Sequence, residues 1–191
     1  GITVSVEQVK LAKEWIDDPL VEIKISDYRK LKDEQFDRIV SVGMFEHVGY
    51  KNYHTYMKHM YNLLKDSGIF LLHTIGRNIT GTATDPWINK YIFPNGMLPS
   101  IAQTGKSIEG LFVMEDWHNF GADYDKTLME WFKNFDQAWP QLKKEYDDRF
   151  YNMWKYYLLS SAGSFRSRQN NQLWQIVLSK RGVRGGHKRV S

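Results

Sequence analysis

The chain has 191 residues and a formal net charge of +4, enough length for one domain with a hydrophobic core. It contains no cysteine, which excludes disulfides, thiolate metal sites and a cysteine nucleophile within this sequence. Aromatic residues make up 15% of it, which indicates a deep apolar site in addition to a core. No apolar run approaches the ~20 residues that a membrane-spanning helix needs.

The first part of the chain alternates predicted strands and helices. Ser5 is a favourable N-cap for the first helix. The strands are predicted at residues 2–5, 21–26, 38–42 and 69–72, and the helices at 6–16 and 53–64. This alternation predicts an α/β fold with a parallel, doubly wound sheet.

Residues 76–110 interrupt that alternation with a long insertion that contains Pro86, Pro94 and Pro99. A connection of this length inside a compact domain is usually functional. Further elements are predicted beyond it: strands at 112–118 and 173–179, and helices at 124–139 and 150–159. We therefore expect one domain over residues 1–180, followed by a basic tail at 181–191.

Glu46 and His73 follow two neighbouring predicted strands. Ligands of open α/β sheets bind beyond the carboxyl ends of the strands, so the two side chains form the first candidate site. Each has an alternative interpretation: Glu46 can cap the helix that begins near Asn52, and a buried histidine such as His73 is often only a hydrogen-bonded core residue.

Three other positions carry weaker signals. Asp27, at a strand end, can accept hydrogen bonds from an adenine or ribose, but turns also favour aspartate. Tyr124 opens a predicted helix and, by pattern alone, belongs to the core, as do the aromatic stripes of the helices at 124–139 and 150–159, which include Tyr157. His118 lies near Glu115 and Asp116, but this spacing is not diagnostic of a metal site, and no metal is predicted.

Several blocks of sequence together carry a resemblance to a known family. These blocks are residues 36–49, 71–76, 85–96, 115–124 and 173–175. In order and spacing they resemble cyclopropane-fatty-acyl-phospholipid synthases, which are S-adenosylmethionine-dependent methyltransferases. The resemblance implies transfer of a methylene to a cis double bond of a phospholipid acyl chain, on a Rossmann-like, seven-stranded methyltransferase sheet.

The resemblance also implies roles for individual residues. Glu46, His73, Tyr124 and the backbone N–H of Ile75 would hold a bicarbonate ion that acts as the base. S-adenosylmethionine would be contacted by a second set: Gly1, Ile2, Thr3, Gln8, Asp27, Tyr28 and Arg29. Some members carry a cysteine near the C-terminus where this sequence has Ser161, and a serine without a base is a poor nucleophile.

The start of the chain departs from the family pattern. The first strand and the glycine-rich loop that cradles the cofactor are not found, so we expect a truncated sheet whose missing N-terminal region is supplied elsewhere. The alternatives are a lipid methyltransferase with another product, or a non-catalytic fragment of such an enzyme. The expected partner is unsaturated phospholipid at the inner membrane surface of the cytoplasm. No nucleic-acid partner is expected, and a homodimer stays open.

Overall fold

A computed structural model describes residues 1–189, and its elements follow the predicted order. The strands are β1 (Ile2–Thr3), β2 (Lys24–Ile25), β3 (Phe36–Val42), β4 (Leu64–Arg77), β5 (Val113–Asn119) and β6 (Asn171–Ser179). The helices are α1 (Val6–Trp15), α2 (Tyr53–Leu63), α3 (Pro86–Tyr91), α4 (Ile101–Ile108), α5 (Gly121–Leu142) and α6 (Asp148–Ser167). The Ser5 side chain accepts the N–H of Gln8 and caps α1 as predicted.

The strands form two separate sheets. β1 and β2 pair in parallel, and a four-stranded sheet has the order β3-β4-β6-β5. β3 lies at an edge of the larger sheet, where Val40 and Val42 are 63% and 65% exposed. Exposed apolar side chains on an edge strand are unusual, because natural proteins protect the unpaired side of such strands.

The predicted parallel pairing holds for the first four strands, but the larger sheet as a whole is mixed. β3 and β4 are parallel, but β6 runs antiparallel to both of its neighbours, β4 and β5. The cause is the connection from β5 to β6, which is a pair of packed helices, α5 and α6. A single crossover helix carries the chain back to the other end of the sheet, so the next strand is parallel. An antiparallel helix pair instead brings the chain back to the end of the sheet that it left, so the next strand runs in the opposite direction.

Strand β4 is longer than predicted at both ends. Residues 65–68 form an irregularity in the pairing of β3 with β4, because Phe36 pairs with Leu64 and Arg38 with Ile69. At the other end, β4 extends through the predicted start of the insertion to Arg77. The last residues of β4 therefore extend past the carboxyl end of β3, at the end of the sheet where the candidate site lies.

Two hydrophobic clusters cover the two faces of the larger sheet. One consists of α2 side chains packed on β4 and β6, with Phe45 and Trp174 fully buried. The other joins α5 and α6 to the opposite face through Leu128, Phe165 and Leu173. The aromatic stripes of these helices thus contribute to the core. The carboxyl ends of β3, β4 and β5 lie between the two clusters, at the same end of the sheet.

Candidate active site

Glu46 reaches the edge of the sheet through a tight turn after β3. Gly43 has φ +62°, a conformation that favours glycine, and its N–H continues the strand pairing by donating to the carbonyl of His73 at 3.0 Å. A short 3₁₀ helix, Phe45–His47, follows. Phe45 stacks on Tyr53 in the core with ring centroids 4.2 Å apart, which fixes the direction of its neighbour Glu46.

The carboxylate of Glu46 is buried, with 8% of the residue exposed. Its Oε1 accepts a 2.8 Å hydrogen bond from the backbone N–H of Ile75, while its Oε2 is buried with no hydrogen-bond partner among the described residues. A buried acceptor without a donor is costly, so it indicates a polar ligand at this point. The Ile75 N–H, expected to hold an ion directly, is engaged by Glu46 here.

His73 lies beside this carboxylate but makes no hydrogen bond to it in the described structure. Its Nδ1 is 3.5 Å from Nε2 of Gln175, and its ring packs against Phe120. Burial lowers the pKa of His73, and the negative charge of Glu46 only partly opposes that shift. The imidazole is therefore neutral near pH 7 and can either donate or accept a hydrogen bond.

Tyr124 lies in the first turn of α5, with its ring edge-on to Phe165 at 5.0 Å. Burial raises the pKa of Tyr124, and the nearby Glu46 charge adds to the shift. The phenol is therefore protonated at neutral pH and available as an O–H donor.

Glu46, Ile75 and Tyr124 line one cavity of about 560 Å³, whereas His73 is not part of its lining. Much of the wall is apolar, and its largest apolar side chains come from the insertion, α5 and α6: Ile88, Phe93, Leu98, Leu128, Tyr157 and Phe165. The insertion is held over the site by the N–H of Met97, which donates to the carbonyl of Glu46 at 2.8 Å. The cavity wall is thus apolar over much of its area, and it also carries polar side chains, among them Glu46, Arg77, Asp85 and Tyr124.

Some wall residues were not identified by sequence reasoning. Tyr157, whose pKa burial raises to about 12, was assigned to the core face of its helix. Arg77 also lines the cavity and was missed, although it lies two residues beyond Ile75 and therefore on the same strand face. Phe93, an aromatic residue of the insertion, lines the cavity, whereas Trp117 packs on Trp174 in the other cluster. Ser161 lines the cavity as well.

The expected cofactor residues lie apart, around the small sheet of β1 and β2. Gly1 and Ile2 are exposed there, and Thr3 donates to Oε1 of Gln8 at 2.6 Å. Asp27 caps the 3₁₀ helix Tyr28–Lys30, and its carboxylate pairs with Arg29. The hydrogen bonds from Arg29 lower the pKa of Asp27 to about 2, so the carboxylate is ionised. The two carboxylate oxygens of Asp27 have about four lone-pair sites, so the carboxylate can still accept a hydrogen bond from a hydroxyl group.

The other sequence features fall elsewhere. Among residues 1–189, no cluster of histidine, aspartate or glutamate has the arrangement of a metal site, and no helix is long and apolar enough to cross a bilayer. The basic tail folds back in part, since Arg189 pairs with Asp116 and Arg181 with Asp66. Residues 190 and 191 of the predicted tail lie outside the described residues.

The mixed sheet, its helical layers and a ligand cavity at the strand ends define an α/β domain of the methyltransferase class. The family model for mycolic acid cyclopropane synthetase matches residues 1–176, and the chain belongs to that family. The predicted Rossmann-like α/β fold is thereby confirmed.

Individual relatives agree with this assignment. The chain is 59% identical to cyclopropane-fatty-acyl-phospholipid synthase of Escherichia coli (strain K12), across 97% of this chain and 48% of that protein. It is 33% identical to a probable fatty acid methyltransferase of Pseudomonas putida, across 98% of this chain and 50% of that protein. The solved structure of mycolic acid cyclopropane synthase CmaA1 complexed with SAH and CTAB superposes with TM-score 0.82 at 26% identity, covering 94% of this chain and 69% of the other. The chain thus spans about half the length of these curated relatives.

Proposed function

We propose that this chain is the catalytic portion of an enzyme that transfers a methylene from S-adenosylmethionine to the cis double bond of phospholipid acyl chains. The observation that carries the proposal is the unpartnered Oε2 of Glu46, buried at the polar point of an otherwise largely apolar cavity. The family membership and the name of the E. coli relative support it.

The donor set fits a bicarbonate ion at this point. The free Oε2 of Glu46 can accept the O–H of that ion, while the protonated Tyr124 and the neutral His73 can donate to its oxygens. When bound, S-adenosylmethionine supplies an electrophilic methyl group and bicarbonate supplies a base. We infer that Glu46, His73 and Tyr124 hold that base where a proton must be removed, while the N–H of Ile75 orients the carboxylate of Glu46.

The apolar wall has a chemical role of its own. Methyl addition to an alkene produces a carbocation, and water would convert it to an alcohol before the ring closed. Phe93, Leu128 and Phe165 line the cavity, and we infer that they limit the access of water to the reacting centre. Aromatic faces also stabilise a nearby positive charge, so Phe93 and Phe165 act on the cation as well as on the solvent.

The proposed cofactor site is built on the small sheet of β1 and β2. We propose that Gly1, Ile2, Thr3, Gln8, Asp27, Tyr28 and Arg29 contact S-adenosylmethionine, with the ionised Asp27 accepting hydroxyl donors. The additional length of the relatives would supply a strand between β1 and β3. The unpaired β3 edge, with Val40 and Val42 exposed, is consistent with such a strand.

The substrate lies in a bilayer, so the protein must meet the membrane surface. Two side chains of the cavity wall, Ile79 and Phe93, are 74% and 43% exposed, and the cationic Lys90 lies nearby on α3. We propose a peripheral contact of this region with the inner membrane surface. Apolar insertion together with attraction to anionic lipid supports such binding.

The test is a methyl-transfer assay on unsaturated-phospholipid vesicles, with and without bicarbonate, using this chain and a form extended upstream. Bicarbonate-dependent cyclopropane from the extended form supports the proposal. No product from a folded, cofactor-binding extended form would overturn it.

A methyl-branched product is the second candidate, favoured by the fatty acid methyltransferase of P. putida. Mass spectrometry after hydrogenation distinguishes the two, because a cyclopropane product resists mild hydrogenation whereas an unsaturated branched product takes up hydrogen.

A further inference from the structure

Arg77 is a half-buried cation that the proposed chemistry does not use. It is the last residue of β4, its side chain lines the cavity, and its Nε and Nη2 are buried with no hydrogen-bond partner among the described residues. Only Nη1 has a contact, a long one of 3.5 Å to the carbonyl of Ala83. Most N–H donors of this guanidinium therefore have no protein acceptor among the described residues.

The carboxylates of the cavity wall do not neutralise this charge. Oε1 of Glu46 accepts from Ile75, and Oδ1 of Asp85 caps α3 by accepting from Trp87 at 2.9 Å. Arg77 takes part in none of the ion pairs of the described residues. Burying an unpaired charge is strongly unfavourable, so a ligand that supplies an anion here would gain much from the contact.

The chemistry of the partner follows from the geometry of a guanidinium. Its planar array of N–H donors matches the oxygens of a phosphate or phosphodiester, which it binds in bidentate fashion. Arg77 follows Ile75 by two residues on the same strand face, about 7 Å along the strand. A phosphate held at Arg77 would share the cavity with Glu46, so the acyl segment between the phosphate and the double bond would have to bend along the apolar wall.

We propose that Arg77 binds the phosphodiester of the lipid substrate and selects phospholipids over neutral acyl lipids. The inference rests on the proposed function, because it concerns the substrate of that same cavity. It assigns Arg77 to substrate recognition and leaves the holding of the base to Glu46 and Tyr124.

Gly81 offers a second way to disturb the same contact. A Cβ at this position would overlap the guanidinium of Arg77, and no positive φ hinders the substitution. Since the overlapping atoms are the far end of a flexible side chain, Gly81→Ala should displace the guanidinium while the protein keeps both its fold and its charge.

The experiment uses the full-length protein that contains this chain and compares dioleoyl phosphatidylglycerol with dioleoylglycerol in neutral-detergent micelles. The readout is the ratio of kcat/KM for the two lipids. We expect Arg77→Met to lower this ratio by about 10- to 100-fold, the effect of losing hydrogen bonds to a charged group. Arg77→Lys and Gly81→Ala should lower it less, and the exposed Arg184→Met should leave it unchanged.

An unchanged ratio in Arg77→Met, with both activities reduced equally, would overturn the inference and assign Arg77 a structural role. If the wild type converts neither lipid, the proposed function fails, and binding then tests Arg77 separately. Calorimetry with dihexanoyl phosphatidylglycerol and with inorganic phosphate should show Arg77-dependent binding of the lipid. Equal binding of the lipid by wild type and Arg77→Met would overturn the inference. Binding of inorganic phosphate without binding of the lipid would overturn it as well.

Discussion

The carboxylate of Glu46 accepts a 2.8 Å hydrogen bond from the backbone N–H of Ile75, and this bond joins the turn after β3 to the end of β4. It leaves the second carboxylate oxygen buried, with no hydrogen-bond partner among residues 1–189. One oxygen thus fixes the orientation of the side chain, and the other is available to a ligand.

Glu46→Gln should abolish most activity with little effect on folding. The amide keeps one oxygen to accept from Ile75, but it puts an N–H donor in place of the free acceptor and removes the charge. Loss of a group that positions the base should lower kcat by about 10²- to 10⁴-fold. Product formation and the melting temperature are measured together, with the exposed Glu109→Gln as the matched control. Wild-type kcat in Glu46→Gln would contradict the assigned role.

Tyr124→Phe should lower kcat by about 10²-fold, because it removes an O–H donor from the site. The ring should keep its edge-on contact with Phe165, so the free energy of unfolding should change little. Tyr157→Phe is the control, since Tyr157 lines the same cavity and is also buried. Equal losses of kcat in the two variants would show that the effect comes from the wall in general and not from the Tyr124 hydroxyl.

The sequence was most informative where a local rule applies. An apolar strand followed by a glycine predicts a ligand site at the carboxyl end of the strand, and Glu46 does lie there, although Val40 and Val42 of β3 are exposed. The fold class followed from the order of elements, and family membership confirms it. The catalytic roles of Glu46, His73, Ile75 and Tyr124 stay predictions, although three of these residues line one cavity.

The sequence could not predict features that depend on which helix or loop covers which face of the sheet. An aromatic stripe on a helix looks the same whether it contacts core or cavity, so Tyr157 was assigned to the core. The reversed β6 depends on the packing of α5 against α6, which the order of elements does not specify. The engagement of the Ile75 N–H by Glu46 is likewise a tertiary contact between residues 29 positions apart.

His73 should make the protein less stable in mild acid. Burial lowers its pKa in the folded state, so below its unfolded pKa of about 6.5 the unfolded chain binds the proton more readily. This contribution to the free energy of unfolding is fully present above that pH and is lost as the pH falls. Urea unfolding at pH 7.5 and 5.5 measures it. His73→Gln should show a smaller difference than wild type, whereas the exposed His54→Gln should keep the wild-type difference.

Gly76 is required by a close approach between β4 and Trp174. A Cβ on Gly76 would overlap the indole ring, which is 1% exposed and cannot move away. Gly76→Ala should therefore lower the free energy of unfolding by about 1–3 kcal/mol, as overpacking does in other cores. It should also reduce activity, because the displaced end of β4 carries Ile75.

Gly105→Ala is the matched control for Gly76→Ala. Its Cβ would meet no atom within 4 Å, and the residue lies inside α4. Alanine is the better helix former, so this change should raise the free energy of unfolding by about 0.5–1 kcal/mol. Urea unfolding of the two variants compares the same chemical change in two environments. If both variants shifted stability in the same direction, the contact of Gly76 with Trp174 would not be the cause.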